Sequence, residues 1–426
     1  MRRVVKRRRV KIALLTTGGG IITIKGKTNE ANREGGTGMA SGLRAKLRIL
    51  NASAPAKAER PSRGGLLVRD FRADLDQEIR ALSPVGLRRI GWSGRAFNAR
   101  KCLFLDTETT GLSHGAGTVA FLVGVGFVEE DCFHIEQYLM RDYSDEPELI
   151  DRLANRMDAF DCVCTFNGRS FDMPLLEQRF TMCRMRHRWR EMENLDLLHP
   201  AKRAWKLRLG SCRLGNLEEK ILNMPRIDDL PGSEAPQRYF DYLKTGDMNL
   251  LTDILDHNRQ DVATLQTLLV RLCALYAAPE TVQEKRDLFS VGRALERQGE
   301  VGPARELYRR AAVPAARDGT LRALSEESVS EQANWRLYLM ARREGNCEEM
   351  RAALEKMLAR NQEPARAHLE LAKLYEHRSK NIELALKHAR LARSLSAEPD
   401  LPEWEKRIQR LEKKRGGNEN GIHGRH

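Results

Sequence analysis

The chain has 426 residues and a formal net charge of +14, and 41% of its residues are hydrophobic. This length predicts two or three domains with cores of their own, and no apolar run approaches the roughly 18 residues of a membrane span. The eight cysteines show no Cys-x-x-Cys spacing. That argues against a zinc ribbon or a disulfide framework and predicts reduced core thiols in a cytoplasmic protein.

The charge is unevenly placed, with 24 Lys and Arg against 7 Asp and Glu in residues 1–101 and near neutrality beyond. Residues 1–38 read as a disordered basic extension. Met1–Lys11 is basic, Ile12–Ile24 is weakly apolar but broken by Gly18-Gly19-Gly20, and no small-residue cleavage site follows. Two readings stand for this stretch: an extension upstream of a true start at Met39, which is favoured, and a basic nucleic-acid-binding tail. Residues 39–100 form a basic N-terminal segment in which Leu43, Leu47 and Leu50 have helical spacing.

Short apolar runs predict strands near 102–106, 119–128 and 132–140, joined by short turns and so antiparallel. The first of them ends in Leu105-Asp106-Thr107-Glu108-Thr109-Thr110-Gly111-Leu112. Side chains alternate along a strand, so Asp106 and Glu108 share a face, about 7 Å apart along the backbone. Two carboxylates held together repel, a cost offset when a cation sits between them. Hard oxygen ligands suit Mg²⁺ or Mn²⁺, and two such ions can clamp the attacking and leaving oxygens of a phosphodiester. Taken alone, the triplet is as well read as a strand fraying into a polar loop.

A helix over Pro147–Phe160 leads to a strand near 162–166 and then to Phe166-Asn167-Gly168-Arg169-Ser170-Phe171-Asp172-Met173-Pro174. Asn167-Gly168 supplies a turn, and Pro174 falls in the first helical turn, where its missing N–H costs nothing. Asp172 sits at that helix start, as a ligand or simply as a residue favoured by the helix dipole. Leu195-Asp196-Leu197-Leu198 predicts a fifth strand. Around it runs a basic stretch containing Arg184, Arg186, Arg188, Lys202, Arg203 and Lys206, with Trp189 and Trp205 interleaved. Phosphate contacts beside stacking surfaces suit a single strand of nucleic acid; a solvated face with two core tryptophans is the plainer account. Further on, the apolar spacing over Leu250–Leu265 is helical, which puts His257 and Asp261 one turn apart on one face. A His beside a metal-bound carboxylate can accept a proton from an attacking water.

Together these segments resemble the DEDD superfamily of 3′→5′ exonucleases, whose fold is ribonuclease-H-like. Leu105–Leu112 is similar to the first exonuclease motif, Phe166–Pro174 to the second motif of family B polymerase proofreading domains, and His257–Asp261 stands in the place of the third. The resemblance is closest to YprB-like proteins, a bacterial group in which a nuclease-like domain precedes tetratricopeptide repeats. Leu230-Pro231-Gly232-Ser233-Glu234-Ala235-Pro236 and Tyr239-Phe240-Asp241-Tyr242-Leu243-Lys244-Thr245-Gly246 carry that likeness. It implies an α/β ribonuclease-H-like domain over residues 101–277, a mixed sheet flanked by helices. It also implies that Asp106, Glu108, Asp172 and Asp261 hold two Mg²⁺ or Mn²⁺ ions, with His257 as general base. His257 lies four residues before Asp261, the spacing of the superfamily's Tyr-type members with the chemistry of its His-type members. Thr109, Asn167, Arg184, Arg186, Arg188, Lys202, Arg203 and Lys206 are the expected nucleic-acid contacts.

From about Thr281 the texture changes to charged helices with small residues at regular places. Aligning the helical hairpins puts Ala304, Met350 and Ala385 in equivalent positions, with an insertion in the Pro314–Ser330 region. An all-α, tetratricopeptide-like domain is expected over 281–395, with a face for a protein partner. Residues 396–426 read as a basic tail, helical from Lys406 and then disordered. The resulting expectation is a metal-dependent 3′→5′ exonuclease acting on single-stranded 3′ ends of DNA or RNA. A structure-selective endonuclease of the same fold and a non-catalytic nucleic-acid-binding scaffold are the alternatives.

Overall fold

The computed structural model describes residues 65–422 apart from 95, 112–116, 189, 227–230 and 315–319. The expectations for residues 1–38, for Leu43 to Leu50, for Trp189 and for the end of the tail lie outside the described residues.

A six-stranded mixed sheet has the order β1-β4-β3-β2-β5-β6. Its strands are β1 (Leu67–Ala73), β2 (Cys102–Thr109), β3 (Ala120–Glu129), β4 (Cys132–Leu139), β5 (Cys162–Thr165) and β6 (Glu193–Asp196). β2, β3 and β4 form an antiparallel meander, whereas β2–β5 and β5–β6 are parallel. The parallel pairs require crossovers, and helices α2 (Glu146–Met157) and α3 (Asp172–Met182) provide them. Two differences from the sequence reading stand out. The segment before 101 contributes β1, antiparallel to β4, and a short helix α1 (Pro84–Ile90). The last strand ends at Asp196, because Leu198 already opens helix α4 (Leu198–Leu209).

The apolar run of β2 is buried on both faces, as expected of a strand between two helical layers. Leu103 and Leu105 face a core with Val123, Val125, Leu149, Leu153 and Leu176. Cys102 and Phe104 face the opposite core, with Phe133, Val262, Leu265, Leu268 and Leu269. Those last four residues belong to α6 (Thr252–Ala277), which follows α5 (Ala235–Thr245), and none is more than 1% exposed. Each such burial contributes roughly 1.5–3 kcal/mol of transfer free energy, which anchors α6 against the sheet. Close approach depends on Gly126 of β3, where a Cβ would come within 2.7 Å of Val262.

The chain then continues wholly as helices. They follow in pairs: α7 (Lys285–Arg297) with α8 (Val301–Ala311), α9 (Leu321–Glu344) with α10 (Cys347–Ala359), and α11 (Pro364–His377) with α12 (Ile382–Ser394). Ala304, Met350 and Ala385 are each the fourth residue of the second helix of a pair, and all three are buried. The basic tail is the helix α13 (Pro402–Ile422), which buries Ile408 and Leu411 beside Ala385 and Leu386. Its Arg407, Arg410 and Lys414 surround the fully buried carboxylate of Glu376 on α11, at 3.1, 2.8 and 2.8 Å.

Candidate active site

Alternation along β2 decides where its polar end points. Asp106 follows Phe104 onto the α6 face, and Thr107 follows Leu105 onto the α3 face. Asn258 of α6 accordingly donates its Nδ2 to Asp106 Oδ2 at 2.9 Å. The Thr107 hydroxyl, on the other side, donates to Asp172 Oδ1 at the start of α3. Asn258 is fully buried and is braced in turn by Gln137 Nε2 at 2.9 Å. It reaches Asp106 across Gly124, where a Cβ would lie 2.2 Å from Asn258 Oδ1.

Asp106 feels Asp261, Asp172 and Glu108 electrostatically. Burial holds the Asp106 carboxyl well above the usual carboxylate range, and Asp261, Asp172 and Glu108 push it further up. Asp172 is pushed up to about 6, chiefly by burial, against the lowering effect of the Thr107 hydrogen bond. Asp261 is raised by burial despite His257 and Arg226 beside it. His257 stands between motifs, its Nε2 3.5 Å from Asp261 Oδ2 and 4.0 Å from Glu108 Oε1.

The second motif is organised by Asp196 at the end of β6. Its carboxylate accepts the backbone N–H of Asn167 at 2.9 Å, of Arg169 at 3.1 Å and of Leu198 at 3.0 Å. Asn167 takes the left-handed conformation (φ 70°), which Asn tolerates, and a Cβ at Gly168 would lie 2.5 Å from Thr165. The turn therefore needs both residues of the Asn-Gly pair.

These elements border a cleft of about 450 Å³ lined by Asp106, Asp261, Phe166, Asn167, Lys202 and Lys206, among others. Three expected nucleic-acid contacts, Asn167, Lys202 and Lys206, thus share a cleft with two of the carboxylates. Arg184, Arg186 and Arg188 do not line it; Arg188 pairs with Glu191 at 3.1 Å instead. Arg203 faces a neighbouring groove, and Thr109 donates its hydroxyl to Gly111 O at 2.8 Å. Trp205 is 2% exposed in the core, so it is not a stacking surface.

Sequence reasoning missed Arg226. It lies 31 residues before His257, outside every motif, yet its guanidinium binds Glu218, His257 Nδ1 (3.0 Å) and Asp261 Oδ1. Glu218 is itself fully buried and accepts the Thr264 hydroxyl. No motif signal marks Arg226, because a lone Arg in a loop carries no spacing pattern.

The donor set fits a hard divalent cation in kind and in charge: four carboxylates that now lean on Asn258, Thr107, Arg226 and His257. As they stand, no three His, Cys, Asp or Glu side chains among the described residues are arranged to hold one ion. Asp172 is turned to Thr107 and Asp261 to Arg226. A cation would take the place of those contacts.

The sheet order and the placement of the three motifs define a ribonuclease-H-like domain, and residues 103–273 match the RNase_H superfamily. A solved structure of the family B DNA polymerase from the archaeon Pyrobaculum calidifontis aligns with a TM-score of 0.35. It is 14% identical over 48% of this chain and 30% of its own, a likeness too slight to bear on function. The uncharacterized protein YprB of Bacillus subtilis (strain 168) is 30% identical over 351 residues, covering 80% of this chain and 81% of that protein. The chain belongs to the YprB family. No described helix is long and apolar enough to cross a membrane.

Proposed function

We propose that this protein is a divalent-metal-dependent 3′→5′ exonuclease that hydrolyses phosphodiester bonds at single-stranded 3′ ends of DNA or RNA. The observation that carries this reading is the cluster of Asp106, Glu108, Asp172 and Asp261 at the edge of a cleft, with the Asp106 carboxyl held well above the usual range by burial and then by its acidic neighbours. Such an arrangement stores repulsion that a structural role does not require.

Mg²⁺ or Mn²⁺ bound there would supply positive charge that acidifies a water and stabilises the departing 3′ oxygen. The four carboxylates would hold the ions. His257 would accept the proton of the attacking water, its ring held between Arg226 at Nδ1 and Asp261 and Glu108 at Nε2. Lys202 and Lys206 would meet backbone phosphates, and Asn167 would position the terminal nucleotide at the cleft wall.

The paired helices from α7 to α12 suit a tetratricopeptide-like array with a face for a protein partner, for which the matching positions of Ala304, Met350 and Ala385 speak. Eight unpaired cysteines are in keeping with a reducing, cytoplasmic setting.

The test is incubation of the full chain with end-labelled linear and closed circular strands of DNA and of RNA, with Mn²⁺ and with chelator. The reading expects Mn²⁺-dependent mononucleotide release from the 3′ end of linear strands only. Cutting of circles would replace it with an endonuclease, and no cutting of any strand would leave a binding scaffold.

A further inference from the structure

We propose that the groove between α4 and α7 is a phosphate track for single-stranded nucleic acid, continuous with the cleft, and that Arg293 and Arg297 of the helical region are its distal contacts. This rests on the nuclease reading for the strand's end, but it is argued from different residues.

The groove, of about 340 Å³, is lined by Lys202, Arg203 and Lys206 from α4 and by Arg293 and Arg297 from α7, and its other lining residues carry no charge. Lys202 and Lys206 line the cleft beside Asp106 and Asp261 as well. They stand one turn apart on α4, exposed, so one ridge of positive charge belongs to both depressions. A strand whose end lies in the cleft can cross this ridge without leaving a positively charged surface.

No described carboxylate compensates this charge, although Arg203 donates to Ile90 O and Lys206 to Gly210 O. Among the described residues, none of the five cations forms an ion pair with a carboxylate, although carboxylates are near. α7 carries two acidic residues, and both are committed elsewhere. Asp287 binds Arg208 of α4 at 2.8 Å, and Glu296 binds Arg343 at 3.0 Å and the Tyr308 hydroxyl at 2.7 Å. Arg208 therefore shows what a structural cation between these helices looks like, and the other five differ from it.

Nor are all five simply solvated. Arg203 is half-buried, with one Nη donating to Ile90 O at 3.3 Å and its Nε buried without a hydrogen-bond partner. Arg293 is half-buried with its guanidinium 5.8 Å from the Phe289 ring centroid. Like charges gathered in a partly desolvated groove repel more than exposed ones, and a phosphodiester backbone relieves that repulsion while releasing counterions. Leu207, 43% exposed on the groove wall, offers an apolar contact for a sugar or base. The helical region thus joins the nucleic-acid path through its first helix, whatever else it binds.

The test uses the full chain in chelator, so that binding is read without cleavage, by fluorescence anisotropy on oligothymidylate and oligouridylate of about 20 nucleotides. That length exceeds the roughly 4–16 nucleotides of one binding site. Three proteins are compared: the wild type, R293Q/R297Q, and R351Q/R378Q, which loses the same charge at exposed positions away from the groove. R293Q/R297Q is expected to bind roughly tenfold more weakly at low salt, with a salt slope shallower by about 1.4, or 0.7 for each lost single-strand phosphate contact. Wild-type affinity and slope in R293Q/R297Q, or an equal loss in R351Q/R378Q, would overturn the track. Loss on one sugar alone would assign the track to that nucleic acid. Circular dichroism melts of both variants establish that they fold. Mn²⁺-dependent hydrolysis of bis(p-nitrophenyl) phosphate by the wild type is scored separately. Its absence would sink the nuclease reading, while the binding comparison would still decide the groove.

Discussion

Arg226 forms an ion pair with Asp261 from a loop that belongs to none of the three motifs. The same guanidinium contacts His257 Nδ1 and binds the buried Glu218, so one side chain engages both ends of the third motif, His257 and Asp261. An Arg cannot give up its proton, so it donates to Nδ1, which leaves the neutral ring protonated on Nε2 toward Asp261 and Glu108. In this arrangement Asp261 is held by a protein cation, and the His257 lone pair that would serve a water is already engaged.

Substituting Arg226→Gln should therefore act in two directions. Removing one partner of a buried pair strands Glu218, at an expected cost of about 3–5 kcal/mol in denaturant unfolding. Calorimetric titration of the metal-free protein should at the same time show tighter Mn²⁺ binding, because Asp261 no longer has a competing cation. The double variant R226Q/E218Q should recover most of the stability and keep the tighter binding. Unchanged Mn²⁺ affinity in both variants would mean that Arg226 serves only to neutralise Glu218.

Asp106→Asn should raise the melting temperature of the metal-free protein at pH 8. The folded-state carboxyl of Asp106 is raised above its unfolded value, so the stability it contributes is present below the unfolded pKa and lost as pH rises through the folded one. Asp172, pushed up to about 6, adds to the same loss between about pH 4 and 6. Asn keeps the shape and removes the charge. The advantage should vanish near pH 3.5, and Mn²⁺ should stabilise the wild type but not the variant. Melts across this range in chelator and in Mn²⁺ decide it; a variant less stable than the wild type at pH 8 would count against stored repulsion. Mn²⁺-dependent cleavage should be lost.

His257→Ala should slow the chemical step by roughly 10²–10⁴-fold, the range for loss of a general base, with little change in strand affinity. His257→Tyr separates two roles, because a Tyr can orient a water but is a poor base near neutral pH. Activity above that of His257→Ala would assign an orienting role, and activity equal to it would assign proton transfer. Full wild-type turnover in His257→Ala would remove His257 from the mechanism.

A pH effect is also expected far from the cleft. His388 of α12 lies with its Nδ1 2.9 Å from Nδ1 of His368 on α11 and stacks on Tyr375. Burial, His368 and Lys387 lower His388 to about 4, and His368 is lowered too. For a His whose folded pKa is depressed, the stability is complete above the unfolded pKa near 6.5 and is lost as pH falls toward the folded one. The wild type should lose melting temperature between about pH 6.5 and 4. His388→Phe, which keeps a ring for stacking but cannot be protonated, should lose less over that interval. Parallel curves for the two proteins would show that the pair is not the cause.

The sequence alone was enough to read the strand–strand–strand–helix–strand–helix order, because buried strands of a two-layered sheet are short apolar runs punctuated by turn residues. The acidic motifs were legible for the same local reason. Asp106, Glu108, the Asn167-Gly168 turn, and the His257–Asp261 pair one turn apart on α6 are all patterns within a few residues. Strand β1 escaped notice, because two Arg and an Asp break up the apolar residues of Leu67–Ala73 without regular alternation, and it becomes a strand only through β4. Which basic residues reach the cleft was equally hidden. Lys202 and Lys206 face it because of how α4 is rotated against the sheet, while Arg184, Arg186 and Arg188 lie in the turn and loop after α3 and do not line it. Asn258, Glu218 and Arg226 were out of reach for the strongest reason. They surround Asp106 and Asp261 only because glycines at 124 and 126 let α6 approach the sheet, and a buried charge network is created by proximity, not by spacing along the chain.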